Sequence, residues 1–223
     1  MLLNSEKLNV LHKLSVAFVD IRKHGGVAPL FEVIEETSTA TAVHSIGVSA
    51  VARTMAEQSN LDGDICRQLA LSGLLHDIGK ITIPDSVINK AGPLSAEEGR
   101  VMRAHVEMTY RILKAFDVPA PVLRYCVCHH ERLSGTGYPF GLDAPFLDLG
   151  CRIMSVADVF VALTENRIYR KGMSRDKAVA VIEYMVAQGS LDETVFLILK
   201  SSPERFDDAR MRAQLQSTRI QAA

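Results

Sequence analysis

The sequence predicts an all-α helical bundle, and three observations support that fold class. Apolar residues recur every three or four positions along most of the 223-residue chain, which is the spacing of one helix face. No segment alternates apolar and polar residues over the length of a strand. Ser95, followed three positions later by Glu98, forms a capping-box pattern that opens a clearly amphipathic stretch. We therefore expect one domain built from helices.

In the first half of the chain, four helices are predicted. The first covers about residues 6–23 and ends at two glycines, because glycine readily adopts the left-handed conformation found after helix C-termini. A shorter helix follows around residues 30–34, and the next carries His44 on its apolar face. The fourth is expected to run from about Asp64 into the tract at residues 74–80.

In the second half, the helix that opens at Ser95 turns His105 towards the core, and the next helix ends at His129 and His130. The glycine-rich stretch 134–141 is predicted to be a loop. Three helices follow, at about residues 149–163, 175–188 and 192–200. The first of these is apolar on most sides and contains one carboxylate, that of Asp158. The predicted organisation is an N-terminal helical cap or extension, a main domain and a charged tail, at residues 1–36, 37–202 and 203–223.

The composition argues against several classes of protein. Lysine and arginine number 25 and aspartate and glutamate 26, so the formal net charge is −1, which argues against a general nucleic-acid binder. No apolar run reaches the ~18–20 residues that a membrane span needs. The first residues lack the basic start and apolar core of a signal peptide. The four cysteines form no CxxC pair, which predicts reduced thiols and a cytoplasmic location.

Five of the seven histidines lie in apolar stretches together with two aspartates: His44, His76, His105, His129 and His130, with Asp77 and Asp158. Any one of these histidines alone would be interpreted as a core imidazole bonded to a backbone carbonyl. Seven such groups together need another explanation, because burying ionisable groups without partners costs several kcal/mol each. A metal cluster would satisfy all of them, and imidazole and carboxylate ligands suit iron, manganese, zinc or nickel.

The adjacent pair His76 and Asp77 suits a site with two ions. Neighbouring residues on a helix point about 100° apart, so His76 can bind one ion while the Asp77 carboxylate bridges to a second. His129 and His130 could likewise serve two ions from one helix end. Two ions about 3.5–4 Å apart can clamp a phosphodiester and activate the attacking water. Lys80 would then stabilise the developing charge or protonate the leaving group.

Three motifs occur in a specific order: HDIGK at residues 76–80, HHER at 129–132 and GTGYP at 135–139. With these motifs the chain resembles, over about residues 37–200, the HD-GYP family, a branch of the HD superfamily of phosphohydrolases that hydrolyses the bacterial second messenger cyclic di-GMP. The resemblance implies the all-α bundle of the HD superfamily and a bi- or trinuclear metal site, usually of iron or manganese, with zinc or nickel as further possibilities.

The resemblance also implies roles for individual residues. The metal ligands would be His44, His76, Asp77, His105, His129, His130 and Asp158. Asp77 and Lys80 would be the catalytic residues, with Lys80 near the attacked phosphate. The substrate would contact the glycine-rich loop and an arginine pair: Gly137, Tyr138, Pro139, Arg167 and Arg170.

The chain departs from the family pattern at three positions. Family members with a third metal tend to carry glutamate four residues before the first ligand histidine, and here that position is Ala40. We therefore expect two divalent ions. Ser134 stands where the family usually has the aspartate of DGxGYP, and Val161 stands where it usually has an aspartate three residues after the last ligand.

These observations lead first to a metal-dependent phosphodiesterase that converts cyclic di-GMP to pGpG and/or GMP. A second hypothesis is a weakly active or inactive protein that acts as a scaffold for signalling partners such as GGDEF-domain proteins, suggested by Ser134 and Val161. A third is a hydrolase of another nucleotide, such as a related cyclic dinucleotide or a nucleoside triphosphate, although the GYP loop argues against the triphosphate. The linear dinucleotide pGpG could also rival cyclic di-GMP as the substrate. A homodimer formed through the apolar N-terminal helices is also left open. We expect neither a nucleic-acid polymer nor a membrane as a partner.

Overall fold

Helices make up the regular structure of the chain. The computed structural model describes residues 12–17, 26, 28–166 and 171–221, and within these ranges there is no β-strand, only an isolated bridge between Ser134 and Asp143. The predicted all-α fold is therefore confirmed. Among the described residues, no helix is both long enough and apolar enough to cross a membrane.

Eleven α-helices and two short 3-10 helices are present in the described ranges. The α-helices are α1 (residues 12–17), α2 (Ala28–Thr37), α3 (Thr39–Gln58), α4 (Gly63–Leu75), α5 (Asp85–Ile88), α6 (Ala96–Ala115), α7 (Ala120–Cys128), α8 (Leu149–Thr164), α9 (Arg175–Ala187), α10 (Glu193–Ser201) and α11 (Pro203–Gln221). The 3-10 helices cover Ile78–Thr82 and Ala144–Phe146. Of the helix predicted at residues 6–23, only residues 12–17 lie inside the described ranges, and they are helical.

Polar side chains cap the N-termini of several helices. Ser95 accepts a hydrogen bond from the Glu98 N–H while the Glu98 carboxylate accepts one from the Ser95 N–H, so the predicted capping box is present. Ser38 caps α3 by accepting from the Thr41 N–H, and Asp148 caps α8 by accepting from the Cys151 N–H.

The helix predicted to reach residues 74–80 ends earlier, at Leu75. The reason is a close contact with α6: a Cβ at Gly79 would lie 1.9 Å from the carbonyl oxygen of His105. The Gly79 N–H donates to the Thr109 hydroxyl, which in turn donates to the carbonyl oxygen of His76. These bonds turn the chain into a 3-10 helix and fix the backbone of His76 and Asp77 against α6.

The residues expected to form a charged tail are helical and belong to the bundle. Phe206 and Arg210 of α11 are buried, and Gln214 donates to the carbonyl oxygen of Val43 in α3. The division of the chain at residues 36 and 202 stays a prediction.

Helix α8 lies in the middle of the bundle, where it contacts α3, α4, α7 and α9. Eleven of its sixteen residues are buried, including Asp158 and Val161. A carboxylate on such an apolar helix is removed from water. It is therefore stable there only where other polar groups contact it.

Candidate metal centre

The five histidines and two aspartates singled out in the sequence converge between α3, α6 and α8. His44 comes from α3, His105 from α6 and Asp158 from α8. The other four follow helix C-termini: His76 and Asp77 come directly after α4, and His129 and His130 directly after α7. All are buried except His130, whose side chain is about one-fifth exposed.

The first group of potential metal ligands consists of His44, His76 and Asp77. One ligand atom from each lies within 4.8 Å of the others. Oδ2 of Asp77 is 3.3 Å from Nε2 of His76 and 3.9 Å from Nε2 of His44. Two atoms that each lie about 2.1 Å from one ion are roughly 3–3.5 Å apart, so this spacing is close to that of a coordination shell.

The second group consists of His105, His129 and His130, whose ligand atoms also lie within 4.8 Å of one another. The two groups share Asp77, because its other oxygen, Oδ1, is 3.3 Å from Nε2 of His105 and 4.0 Å from Nε2 of His129. One carboxylate therefore faces both groups, as a bridging ligand between two ions would.

Asp158 spans the two groups in the same way. Its Oδ1 is 3.0 Å from Nε2 of His44 and 3.8 Å from Nε2 of His76, whereas its Oδ2 is 3.9 Å from Nδ1 of His130. The seven side chains thus form two sets of imidazoles with two carboxylates between them.

Backbone carbonyls fix the orientation of three of these imidazoles. The Nδ1–H of His76, His105 and His129 each donates to the carbonyl oxygen three residues earlier, at 2.9, 2.7 and 2.5 Å respectively. This leaves the lone pair on Nε2, which faces the centre of the site. A histidine that binds a metal through one ring nitrogen ordinarily makes such a hydrogen bond from the other.

His44 is oriented by a carboxylate instead. Its Nδ1 lies 3.1 Å from each carboxylate oxygen of Glu165, the buried residue that follows α8. Burial alone would lower the pKa of His44, but the charges and hydrogen bonds of Glu165 and Asp158 raise it to about 9.

Several buried atoms in the centre fit a metal ion because nothing else satisfies them. Across the described part of the chain, no hydrogen-bond partner is present for Nε2 of His76, His105 and His129 or for Oδ1 of Asp77. An unsatisfied buried polar atom costs about 1–3 kcal/mol, so four in one place are expensive. Imidazole nitrogens and carboxylate oxygens are ligands that iron, manganese, zinc and nickel accept, so the donor set fits a divalent metal site.

The charge states of the second group and of the two aspartates suit metal binding. Burial lowers the pKa of each histidine in the second group, to about 3 for His130. Burial by itself would raise the pKa of Asp77 and Asp158, but neighbouring imidazoles, and Lys80 beside Asp77, lower both well below the usual range. Neutral imidazoles and ionised carboxylates are the forms that bind metal.

A cleft of about 370 Å³ opens beside the first group, and Lys80 projects to its wall. Nζ of Lys80 lies 2.5 Å from Oδ2 of Asp77. The cleft is also lined by His44 and Glu165 and by further residues of α3, of α6 and at the end of α5: Thr39, Ala40, Thr41, Val43, Ile88, Asn89 and Met102, with Asn166 after α8. Its volume lies in the range of small-molecule sites. Ala40 offers no ligand atom at the position where trinuclear members of the family would have glutamate.

The glycine-rich loop lies against His130 of the second group. The Tyr138 ring stacks on the His130 ring with centroids 4.6 Å apart. The backbone N–H of Tyr138 donates a hydrogen bond to the carbonyl oxygen of His130. Gly137 is required here, because a Cβ would lie 2.5–2.6 Å from backbone atoms of residues 130–132. Pro139 follows Tyr138 through a cis peptide bond. The loop therefore places Tyr138 directly over one candidate ligand.

Other predicted positions lie away from the centre or outside the described residues. Arg167 and Arg170 lie outside the described residues. Ser134 is exposed on the glycine-rich loop and contacts the Thr136 hydroxyl. Val161 is fully buried in the apolar core, as its side chain requires.

Two buried glutamates that were not predicted from the sequence contribute to the site. Glu165 holds His44, and Glu131 accepts hydrogen bonds from the N–H groups of Phe140 and Leu142 in the glycine-rich loop. A signal for Glu165 was available, since it lies seven residues after Asp158 and therefore on the same face of α8. Glu131 lies within the HHER motif, but the sequence does not show which backbone it contacts.

Residues 29–195 match the family model described as an HD domain, so the chain belongs to the HD domain family. The resemblance noted in the sequence is thereby confirmed. The relatives include the cyclic di-GMP phosphodiesterase PA4108 of Pseudomonas aeruginosa, which is 41% identical over 140 residues, covering 62% of this chain and 34% of that protein. The 3'3'-cGAMP-specific phosphodiesterase 1 of Vibrio cholerae is 31% identical over 201 residues, covering 90% of this chain and 44% of that protein.

Among solved structures, the HD domain of the L. monocytogenes phosphodiesterase PgpH superposes with a TM-score of 0.59 at 15% identity. The match covers 86% of this chain and 98% of that one, and it supports the fold. The chain itself spans about a third to under a half of the length of the two curated relatives named above.

Proposed function

We propose that the chain is a metal-dependent phosphodiesterase that hydrolyses cyclic di-GMP to pGpG and/or GMP at a binuclear His/Asp site. The observation that carries the proposal is the arrangement of two histidine groups around Asp77, whose two oxygens face one group each. Four buried ligand atoms without hydrogen-bond partners in the described structure support it, because a metal would satisfy them together.

The residues have distinct tasks in this proposal. His44, His76, Asp77, His105, His129, His130 and Asp158 would hold two divalent ions. Such a pair of ions supplies Lewis-acid activation of the phosphodiester and of the attacking water. Lys80 lies at the wall of the cleft, where it would bind a non-bridging phosphate oxygen or protonate the leaving oxygen.

The assignment of the substrate rests on the relatives and on the cleft. Curated relatives are named as phosphodiesterases of cyclic di-GMP or of 3'3'-cGAMP, which share two ribose–phosphate linkages in a ring. Tyr138 over His130, together with Gly137 and Pro139, would form one wall for a nucleotide, and Arg167 and Arg170 would bind its phosphates. Because relatives of both substrate classes match, 3'3'-cGAMP and pGpG are the alternative substrates.

Product analysis tests the proposal. The protein would be incubated with cyclic di-GMP, pGpG or 3'3'-cGAMP and with Mn²⁺ or Fe²⁺ under reducing conditions, and the products separated by chromatography. We expect pGpG or GMP from the wild type and none from Asp77→Ala, because the carboxylate that faces both histidine groups is lost. Asp208→Ala, which changes an exposed aspartate of α11, is the matched control and should keep the activity.

Failure to cleave any of these nucleotides with metal bound would contradict the proposal. That result would favour the second hypothesis, a scaffold that recruits proteins such as those with GGDEF domains. A cellular role that survives Asp77→Ala would support the same conclusion.

Iron or manganese is the proposed metal, and the cytoplasm the proposed location. The four cysteines are unpaired and buried, which is compatible with a reducing compartment. Metal analysis of protein purified without oxygen would identify the ions, and we expect two equivalents of iron or manganese rather than zinc or nickel. A homodimer through residues 1–36 is a further proposal, which measurement of the mass in solution tests.

A further inference from the structure

Glu165 contacts His44 in a way that distinguishes this imidazole from those of His76, His105 and His129. Those three donate from Nδ1 to a carbonyl oxygen three residues earlier in the chain. His44 instead meets a carboxylate that is 121 residues away and buried with it. A full negative charge holds the Nδ1 proton more strongly than a neutral carbonyl does, and it makes Nε2 a more basic ligand.

The carboxylate is delivered by the same helix that carries a candidate metal ligand. Asp158 lies on α8, and Glu165 follows the last residue of that helix, seven residues later and on the same face. The two carboxylates therefore hold the two nitrogens of one ring: Asp158 is 3.0 Å from Nε2 and Glu165 is 3.1 Å from Nδ1. Val161, between them on α8, is apolar and buried, so it offers His44 no hydrogen bond.

Glu165 is poorly placed to be a ligand of the same ion itself. Both of its oxygens lie at Nδ1, which is on the opposite edge of the imidazole from Nε2. An ion bound to Nε2 would therefore have the His44 ring between itself and Glu165. Its effect on that ion must therefore pass through the orientation and basicity of His44.

We propose that Glu165 is a positioning residue that sets the metal affinity of the group formed by His44, His76 and Asp77, and leaves the group formed by His105, His129 and His130 unchanged. The inference rests on the binuclear site of the proposed function. It gives His44, in the first group, a buried carboxylate as its partner, whereas His105 and His129, in the second group, donate to backbone carbonyls.

Metal titration of the full chain tests the inference without measuring hydrolysis. Metal-free wild type, Glu165→Gln and Glu165→Ala would be titrated with Mn²⁺, and the number of ions and both dissociation constants determined. We expect Glu165→Ala to weaken one of the two sites by about 10–100-fold, the usual effect of losing such a partner. Glu165→Gln keeps an acceptor oxygen for Nδ1 but loses the charge, so its loss should be smaller.

Asp192→Asn is the matched control. Asp192 is also a buried carboxylate, but it caps α10 and accepts a hydrogen bond from Arg152. The Asp192→Asn variant should keep both Mn²⁺ dissociation constants at the wild-type values. Circular dichroism of each metal-free variant shows whether it is folded, and Glu165→Gln keeps the test valid if Glu165→Ala does not fold.

Three results would overturn the inference: unchanged affinity at both sites in folded Glu165→Ala, an equal loss at both sites, or a third equivalent bound by the wild type and lost in the variant. The last result would make Glu165 itself a ligand. A wild type that binds two ions but cleaves no nucleotide would contradict only the proposed function, because the titration does not depend on hydrolysis.

Discussion

Replacing Glu131 with glutamine tests how the glycine-rich loop is held beside the metal centre. Glu131 is buried, and its two oxygens accept hydrogen bonds from the N–H groups of Phe140 at 2.7 Å and Leu142 at 3.0 Å. Glutamine keeps one oxygen but places an NH2 group where the other stood, so one backbone N–H would face a second donor. An unsatisfied donor of this kind costs about 1–3 kcal/mol, and we expect that decrease in the free energy of unfolding.

Urea unfolding followed by circular dichroism measures this decrease, which corresponds to about 2–4 °C in melting temperature for each kcal/mol. Glu107→Gln is the matched control, since Glu107 pairs with Arg111 on the exposed surface of α6 and such pairs contribute about 0.3–0.5 kcal/mol. A loss in Glu131→Gln no larger than in Glu107→Gln would refute the argument that this carboxylate holds the loop.

Two further substitutions test other parts of the fold. Phe206→Ala in α11 removes a fully buried ring and should lower the free energy of unfolding, measured in urea, by about 3–5 kcal/mol. Leu215→Ala, on the exposed side of α11, should change it little. An equally small decrease in both variants would contradict the packing of α11. Hydrogen bonds from Lys90 and from the Ser95 backbone lower the pKa of Glu98 from 4.5 to about 2, so its stabilisation is complete above pH 4.5 and is lost as the pH falls towards 2. The difference in unfolding free energy between wild type and Glu98→Gln should therefore shrink over that range, and a constant difference would contradict this origin.

Most helices could be predicted because their apolar spacing and caps are local features. The buried helix expected at residues 149–163 is α8, at Leu149–Thr164, and those expected at 175–188 and 192–200 are α9 and α10. Helix α11 could not be predicted as part of the bundle, because its composition is mostly charged and polar. Its attachment depends on the burial of Phe206 and on the hydrogen bond from Gln214 to a carbonyl of α3, which joins residues 171 positions apart.

The end of α4, at the candidate site, likewise depends on a long-range contact that local sequence does not predict. The sequence continues helically past His76, but the contact of Gly79 with α6 ends the helix at Leu75. Neither the distance between α4 and α6 nor the role of Thr109 as a bridge can be predicted from local sequence. The consequence is functional, since the 3-10 turn fixes the backbone from which His76 and Asp77 reach the centre.

The candidate ligands could be predicted because ionisable residues in apolar helices stand out. The contacts of the supporting glutamates could not, because Glu131 and Glu165 both follow helix ends, where a charged residue is ordinary. The spacing of Glu165 from Asp158 indicates a shared helix face but not the histidine that it contacts. Only the fold shows that Glu165 meets a histidine 121 residues earlier and that Glu131 binds a loop 9–11 residues later. Outer partners of a metal site are therefore harder to predict than the ligands, although they hold the ligands in place.

The two halves of the centre differ in what covers them, and this asymmetry bears on how a phosphodiester would approach. Tyr138 stacks on His130 of the second group, whereas the cleft opens beside His44 with Lys80 and Glu165 in its wall. A phosphate that enters the cleft would meet the first group and the positive charge of Lys80 before the second. The metal position proposed to depend on Glu165 would then be the one that receives the substrate, so its affinity should limit activity at low metal concentration.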